Sequence, residues 1–199
     1  MLKTERMDRV RAALRAQGLT QMIVCDPKSV WYLTGVAVEP YERLLALYLP
    51  TEGEPVLFLN RLFNVPEPPC RTVWHTDTDK PVAQIAEVVD AGRPLGIDKE
   101  WPAKFLIPLM ETHPGMQVVL SSDCVDDCRA CKDAEEQALM REASRINDAV
   151  NEAAKHYIKA GMTEREVAEF IDAQFRAHGC EGPSFTTIVS FGANAADPH

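Results

Sequence analysis

Three cysteines and one histidine are the residues whose type and placement could carry chemistry. Cys124, Cys128 and Cys131 stand in "CVDDCRAC", a C-x3-C-x2-C spacing. Three thiolates so spaced can hold three irons of an iron–sulfur cluster and leave the fourth open to a cofactor, as in radical enzymes that use S-adenosylmethionine. That chemistry asks for a loop after an early barrel strand and an aromatic residue before the third cysteine. Here that position is Ala130, and the segment reads as helix. The favoured reading is packing, with Cys128 and Cys131 facing inward on a helix as small apolar residues. Zinc is the lesser alternative.

His199 follows "SFTTIVSFGANAADP". Thr186 to Phe191 read as a buried strand feeding a loop, and a strand–loop–His arrangement delivers a neutral imidazole at the end of a rigid element. Asp197 and His199 are not read as a chelating pair, because Pro198 stiffens the link and alternate strand positions point to opposite faces. His75, His113, His156 and His178 are scattered singly and read as structural. The chain has no G-x-G-x-x-G, G-x-x-x-x-G-K or G-x-S-x-G pattern, so neither a nucleotide loop nor a serine elbow is indicated.

The elements that must position these residues alternate in type. "TERMDRVRAALRAQG" places Met7, Val10, Ala13 and Leu14 at helical spacing and stops at Gly18. "TQMIVCD" reads as a strand, Asp26-Pro27 opens a short helix to Gly35, and "LLALYLP" and "PVLFLN" form a hairpin across Thr51–Glu54. Strands "TVWHT", "PLGID" and "MQVVLSS" then alternate with helices "PVAQIAEVVDAG" and "WPAKFLIPLMETH". This predicts a mixed α/β sheet domain over residues 1–121, followed by a linker helix over 122–132. From 133 onward come two capped helices. Asp133 with Glu136, and Thr163 with Glu166, form capping pairs, and Gly161 and Gly179 are the expected stops. The predicted stripes are Leu139, Ala143, Ile146, Val150, Ala153 and Tyr157 on the first helix, and Val167, Phe170, Ile171 and Phe175 on the second. Two helices and one strand enclose no core of their own, so residues 133–199 read as an incomplete second domain.

At 199 residues the chain can bury a real core, and its 46% apolar and 26% charged content is that of a globular protein. Residues 1–120 carry 13 basic and 15 acidic side chains, and residues 121–199 carry 8 and 15, so neither part offers a basic stripe. Nucleic acid and anionic membrane surfaces are therefore poor partners. Five charges among the first nine residues leave no apolar signal region, and "LLALYL" is too short to span a bilayer. A cytoplasmic protein with six reduced cysteines is expected.

"WYLTGV" (31–36), "CRACKDAEEQALMREASRINDAV" (128–150), "GMTEREVAEFI" (161–171) and "GPSFTTIVSFGANAADPH" (182–199) together resemble the creatinase, prolidase and aminopeptidase P family of pita-bread metallopeptidases. The resemblance runs through the whole chain in order. It implies a ribonuclease-H-like mixed sheet at the N-terminus and the first part of an α+β catalytic domain over 133–199. It also implies a homodimer, and a proline-containing dipeptide or short peptide as substrate. In such enzymes two divalent ions (Mn, Co or Zn) activate a water that attacks the amide before proline. His199 matches the family histidine that contacts substrate beside the metals. The five family ligands, two Asp, one His and two Glu, all follow it, so no metal pair is expected within these residues. The 199-residue chain by itself is expected to be inactive and poorly soluble, with its helical stripes exposed. Two alternatives remain: creatinase-like hydrolysis or lysis of a small non-peptide substrate, and a non-catalytic pseudo-peptidase or dimerisation module.

Overall fold

The computed structural model describes residues 2–196. The chain divides into two compact units, Met1–Cys131 and Lys132–His199.

In the first unit, helix α1 (Thr4–Ala16) buries Met7, Val10 and Leu14. It ends in a Schellman turn: Gly18 N–H donates to Arg15 O, and Leu19 N–H donates to Leu14 O. Gly18 takes φ 72°, which a side chain would disfavour. Strand β1 (Gln21–Val24) follows. Helix α2 (Pro27–Thr34) is opened by Asp26, whose carboxylate accepts from Ser29 N–H, with Pro27 in the first turn where no amide is needed.

Strands β2 (Ala46–Pro50), β3 (Val56–Asn60), β4 (Arg71–His75), β5 (Leu95–Ile97) and β6 (Val118–Leu120) complete a six-stranded sheet ordered β4-β3-β2-β1-β5-β6. The β1–β2 and β2–β3 pairs are antiparallel, and β3–β4, β1–β5 and β5–β6 are parallel. This is the mixed sheet expected from the sequence. Alternation along β1 splits the core in two. Met22 and Val24 join α1, α2 and helix α5 (Asp123–Ala130) on one face. Ile23 and Cys25 join helices α3 (Pro81–Ala86) and α4 (Ala103–Thr112) on the other.

In the second unit, helix α6 (Ala134–Tyr157) and helix α7 (Glu164–Ala177) both begin with the expected capping boxes. They pack through Ile146, Val150, Ala154 and Val167, and Tyr157 stacks on Phe170 with ring centroids 3.8 Å apart. Two expectations need correction. The stripe expected on α6 runs from Leu139 to Tyr157, but Leu139 is 66% exposed and Ala143 is exposed, and the buried face is Ile146, Val150 and Ala154. The helix also stops at Tyr157, short of Gly161. That glycine, at φ 90°, serves the next turn, in which Met162 N–H donates to Lys159 O. Gly179 does end α7, again as a Schellman turn with Gly179 N–H on Arg176 O and Cys180 N–H on Phe175 O. No helix among the described residues is long and apolar enough to cross a membrane.

Candidate functional site

The loop that leads to His199 is fixed by α7. Thr187 Oγ1 donates to Asp172 at 2.6 Å. Further along, Glu164 Oε1 accepts from Phe191 N–H at 2.7 Å and from Asn194 Nδ2 at 3.0 Å. The two carboxylates therefore hold a segment that runs back along the helix and ends in a short 3-10 turn, Gly192–Ala196. The Phe191 amide, and then the Asn194 side chain, hold the Glu164 carboxyl below the usual carboxylate range.

The segment predicted as strand 186–191 is not one. A strand needs a neighbour to take its backbone groups, and the described residues of Lys132–His199 contain no other. Its backbone is tied to a side chain instead. Beneath it lies a cavity of about 410 Å³, lined mainly by apolar groups such as Ile146, Ile171, Phe175, Pro183 and Phe185. His199, the candidate catalytic residue, lies outside the described residues.

Glu164 and Asp172 were not singled out from the sequence. Glu164 sits in a first helical turn where an acid needs no further reason. Only the 27-residue return of the chain reveals its second partner.

The cysteine row resolves differently from its expected form. Cys124 is buried, Cys128 is half-buried against the same core cluster, and Cys131 is exposed at the end of α5. The inward pair is therefore Cys124 and Cys128, four residues apart on one helical face, and not Cys128 and Cys131. Burial pushes both inward thiols up, away from the thiolate that metal binding or nucleophilic attack requires.

The single histidines take distinct places. His75 is buried, with its ring nitrogens at hydrogen-bonding distance from Asn60 Nδ2 and Leu44 O. His113 contacts Ala86 O at 3.0 Å, His156 pairs with Glu152 on the surface, and His178 ends α7.

The first unit holds a second cavity of about 410 Å³ outside the carboxyl ends of β1 and β5. Both signs of charge line it, among them Asp26, Asp98, Lys99 and Arg129. Asp98, 4% exposed, accepts from the Cys25, Asp26 and Glu100 amides, at 3.4, 3.2 and 3.1 Å. Arg129 donates to Asp26 Oδ2 at 3.2 Å and to Ser29 Oγ at 3.0 Å, fastening α5 to the start of α2. Burial, and then the Asp98 carboxylate, keep the neighbouring Cys25 thiol far above its usual range. Backbone amides satisfy Asp98, Lys99 pairs with Asp126 and Arg129 with Asp26, and the arrangement reads as a locked joint between elements.

The mixed-sheet α/β unit and the helical unit that follows it each match a known protein family. Residues 6–131 match the Creatinase/Prolidase N-terminal domain, and residues 138–199 match Metallopeptidase family M24. The chain belongs to this creatinase/prolidase family of metallopeptidases. An uncharacterized peptidase of Staphylococcus epidermidis is 27% identical over 194 residues, which is 96% of this chain and 55% of that protein. The crystal structure of dipeptidase PepE from Mycobacterium ulcerans matches at a TM-score of 0.86 and 28% identity, covering 98% of this chain and 54% of that one. A recombinant prolidase from Thermococcus sibiricus matches at a TM-score of 0.88 and 26% identity, covering all of this chain and 56% of that one. The chain thus spans about half the length of the relatives it matches.

Proposed function

We propose that this chain is the N-terminal portion of a metal-dependent Xaa-Pro peptidase, which hydrolyses the amide before proline in a dipeptide or short peptide. The observation that carries the reading is the likeness of nearly the whole chain, across both units, to a prolidase and a dipeptidase. Proline after the scissile bond makes a tertiary amide without an N–H, so such a site must recognise shape in place of a donor. In this reading His199 is the catalytic residue of the chain. Its neutral imidazole donates a hydrogen bond to the substrate or to the developing oxyanion, an interaction worth roughly 3 kcal/mol at the transition state.

The family is one of metallopeptidases, and two divalent ions (Mn, Co or Zn) supplying an activated water belong to the proposal. Among the described residues no group of three or more His, Cys, Asp or Glu side chains is placed to hold a metal ion, so these residues do not fit a metal pair. A homodimer working in the cytoplasm completes the reading.

The test is an assay of the full-length gene product with Mn²⁺ on a panel of Xaa-Pro dipeptides and on creatine. Dipeptide hydrolysis is expected, with His199→Ala lowering kcat by about one to three orders of magnitude. The matching N-terminal family carries creatinase in its own description, which is what favours a second reading, turnover of a small non-peptide substrate. Turnover of creatine with no dipeptide cleaved would select it. No turnover of either would favour a non-catalytic module.

A further inference from the structure

Strands β1 and β5 lie side by side and parallel, but the chain leaves them toward opposite faces of the sheet. After β1, Val30 and Leu33 of α2 pack in the cluster of Met22 and Val24. After β5, Trp101 and Leu109 pack in the cluster of Ile23 and Cys25. The two connections therefore diverge and leave a crevice outside the carboxyl ends of the strands, where open α/β sheets take small ligands. The first unit's cavity of about 410 Å³ lies there and has the size of a small-molecule site.

The joint built on Asp98, Lys99 and Arg129 uses up its own charges and gives the crevice a fixed wall. Other lining groups are left over. Trp101 is 6% exposed, yet its indole N–H has no hydrogen-bond partner among the described residues. A buried indole N–H ordinarily finds an acceptor. Lys28, Glu39 and Glu100 are exposed, and their side chains make no salt bridge or hydrogen bond among the described residues. The rings of Tyr41 and Phe105 line the same cavity. A ligand with negative charge alone would leave both carboxylates unanswered. One with positive charge alone would leave Lys28 and the indole N–H so. A ligand that carries both charges beside an apolar group answers all of them.

We infer that this crevice is a binding site for a small zwitterion, an α-amino acid with an apolar side chain. Its carboxylate meets Lys28 and the Trp101 N–H, its ammonium meets the Glu39 and Glu100 carboxylates, and its side chain meets the rings. The inference uses no residue of the second unit and stands apart from the peptidase reading.

The experiment titrates L-phenylalanine into the full-length gene product, following tryptophan emission and the heat of binding. N-acetyl-L-phenylalanine, which lacks the positive charge, and L-phenylalaninamide, which lacks the negative one, are titrated beside it. Expected is saturable binding with Kd below about 1 mM, and an emission change that is absent in Trp101→Phe. Lys28→Ala, and Glu39→Gln combined with Glu100→Gln, should each weaken binding about 10-fold, as should either analogue. These positions are exposed, so the variants should melt with the parent, which separates lost binding from lost folding.

No saturation up to about 10 mM would overturn the inference. So would an affinity unchanged in Lys28→Ala and in the double variant, which would place the amino acid elsewhere. Binding of either analogue as tightly as L-phenylalanine would show that one charge suffices and would overturn the zwitterion assignment.

Discussion

In Met1–Cys131 the central strands are packed from both faces, with Met22, Val24, Leu47, Leu57 and Leu59 in one cluster and Ile23, Ala46, Val56 and Phe58 in the other. In Lys132–His199 the apolar side chains buried among the described residues are Ile146, Val150, Ala154 and Val167, while Leu139, Met140, Phe185 and Ile188 stand exposed. The second unit is held largely by what its helices do for themselves. It has two capping boxes, a Schellman turn, a ring stack and two carboxylate ties to the returning loop. The contrast shows that one set of helix-writing rules serves two regimes. In the first unit local signals place elements that long-range burial then fixes. In the second the local signals carry most of the order, and the loop before His199 inherits its position from them.

The largest effect that would break or sharpen this contrast is a cavity in the sheet. Leu57 is fully buried in β3 and paired to Leu47 and Thr72. Leu57→Ala should cost about 2–5 kcal/mol, from lost apolar transfer and an unfilled hole. Leu139→Ala, on the exposed start of α6, should stay within about 0.5 kcal/mol. Trp31, Trp74 and Trp101 all lie in the first unit, so tryptophan fluorescence in urea reads that unit alone. Helical circular dichroism also counts α6 and α7. Equal shifts for the two variants would show that the second unit is packed as tightly as the first.

Much of this was legible in the sequence, and the remainder was not for identifiable reasons. Helix starts at Asp26, Asp133 and Thr163, and ends at Gly18 and Gly179, are written within five or six residues and came out as expected. The β2–β3 hairpin is also local. Sheet order is not, since β1 pairs with β5 across some seventy residues of chain. Nothing local marks Gly96 as a close-contact site, yet a Cβ there would meet Ser121 Oγ at 2.5 Å. Apolar run length misled at 186–191, because a run reports hydrophobicity and not whether a partner strand exists. Spacing could not choose between Cys124 and Cys131 as the inward partner of Cys128, since the helix ends at Ala130 and Cys131 turns away from it. Glu164 looks like any acid at a helix start until the chain returns to it.

Acid should separate the units next. Glu164 is held below its usual range by Phe191 N–H and Asn194, and Glu166 by the Thr163 amide and hydroxyl. A depressed folded value means the stabilisation is complete above the unfolded value, near pH 4.3 for Glu, and is lost as pH falls through the folded value. Between about pH 5 and 3, exchange over 187–194 and the helical signal should loosen ahead of tryptophan fluorescence. The first unit also carries depressed carboxylates, Asp77 beside Arg43 and Asp79 on Thr76, but these lie on its surface and not in its core. Simultaneous loss of all three signals would contradict the difference between the units.

The smallest effect compares one device in both places. Asp133 accepts from Glu136 N–H at 2.9 Å within the capping box that opens α6. Asp133→Ala should therefore cost about 1 kcal/mol, read by circular dichroism, with Asp133→Asn near the parent because an amide oxygen caps almost as well. Asp26 caps α2 in the same way but also accepts from Ser29 Oγ at 2.7 Å and from Arg129 at 3.2 Å. Asp26→Ala removes the cap, the ion pair to Arg129 and the acceptor of the Ser29 hydroxyl, so its cost, read by fluorescence, should be about 2 kcal/mol. Asp26→Asn should recover the cap but not the ion pair. An Asp26→Asn variant as stable as the parent would mean that Arg129 adds nothing to the joint between α5 and α2, and that the first unit is fastened there by its apolar contacts alone.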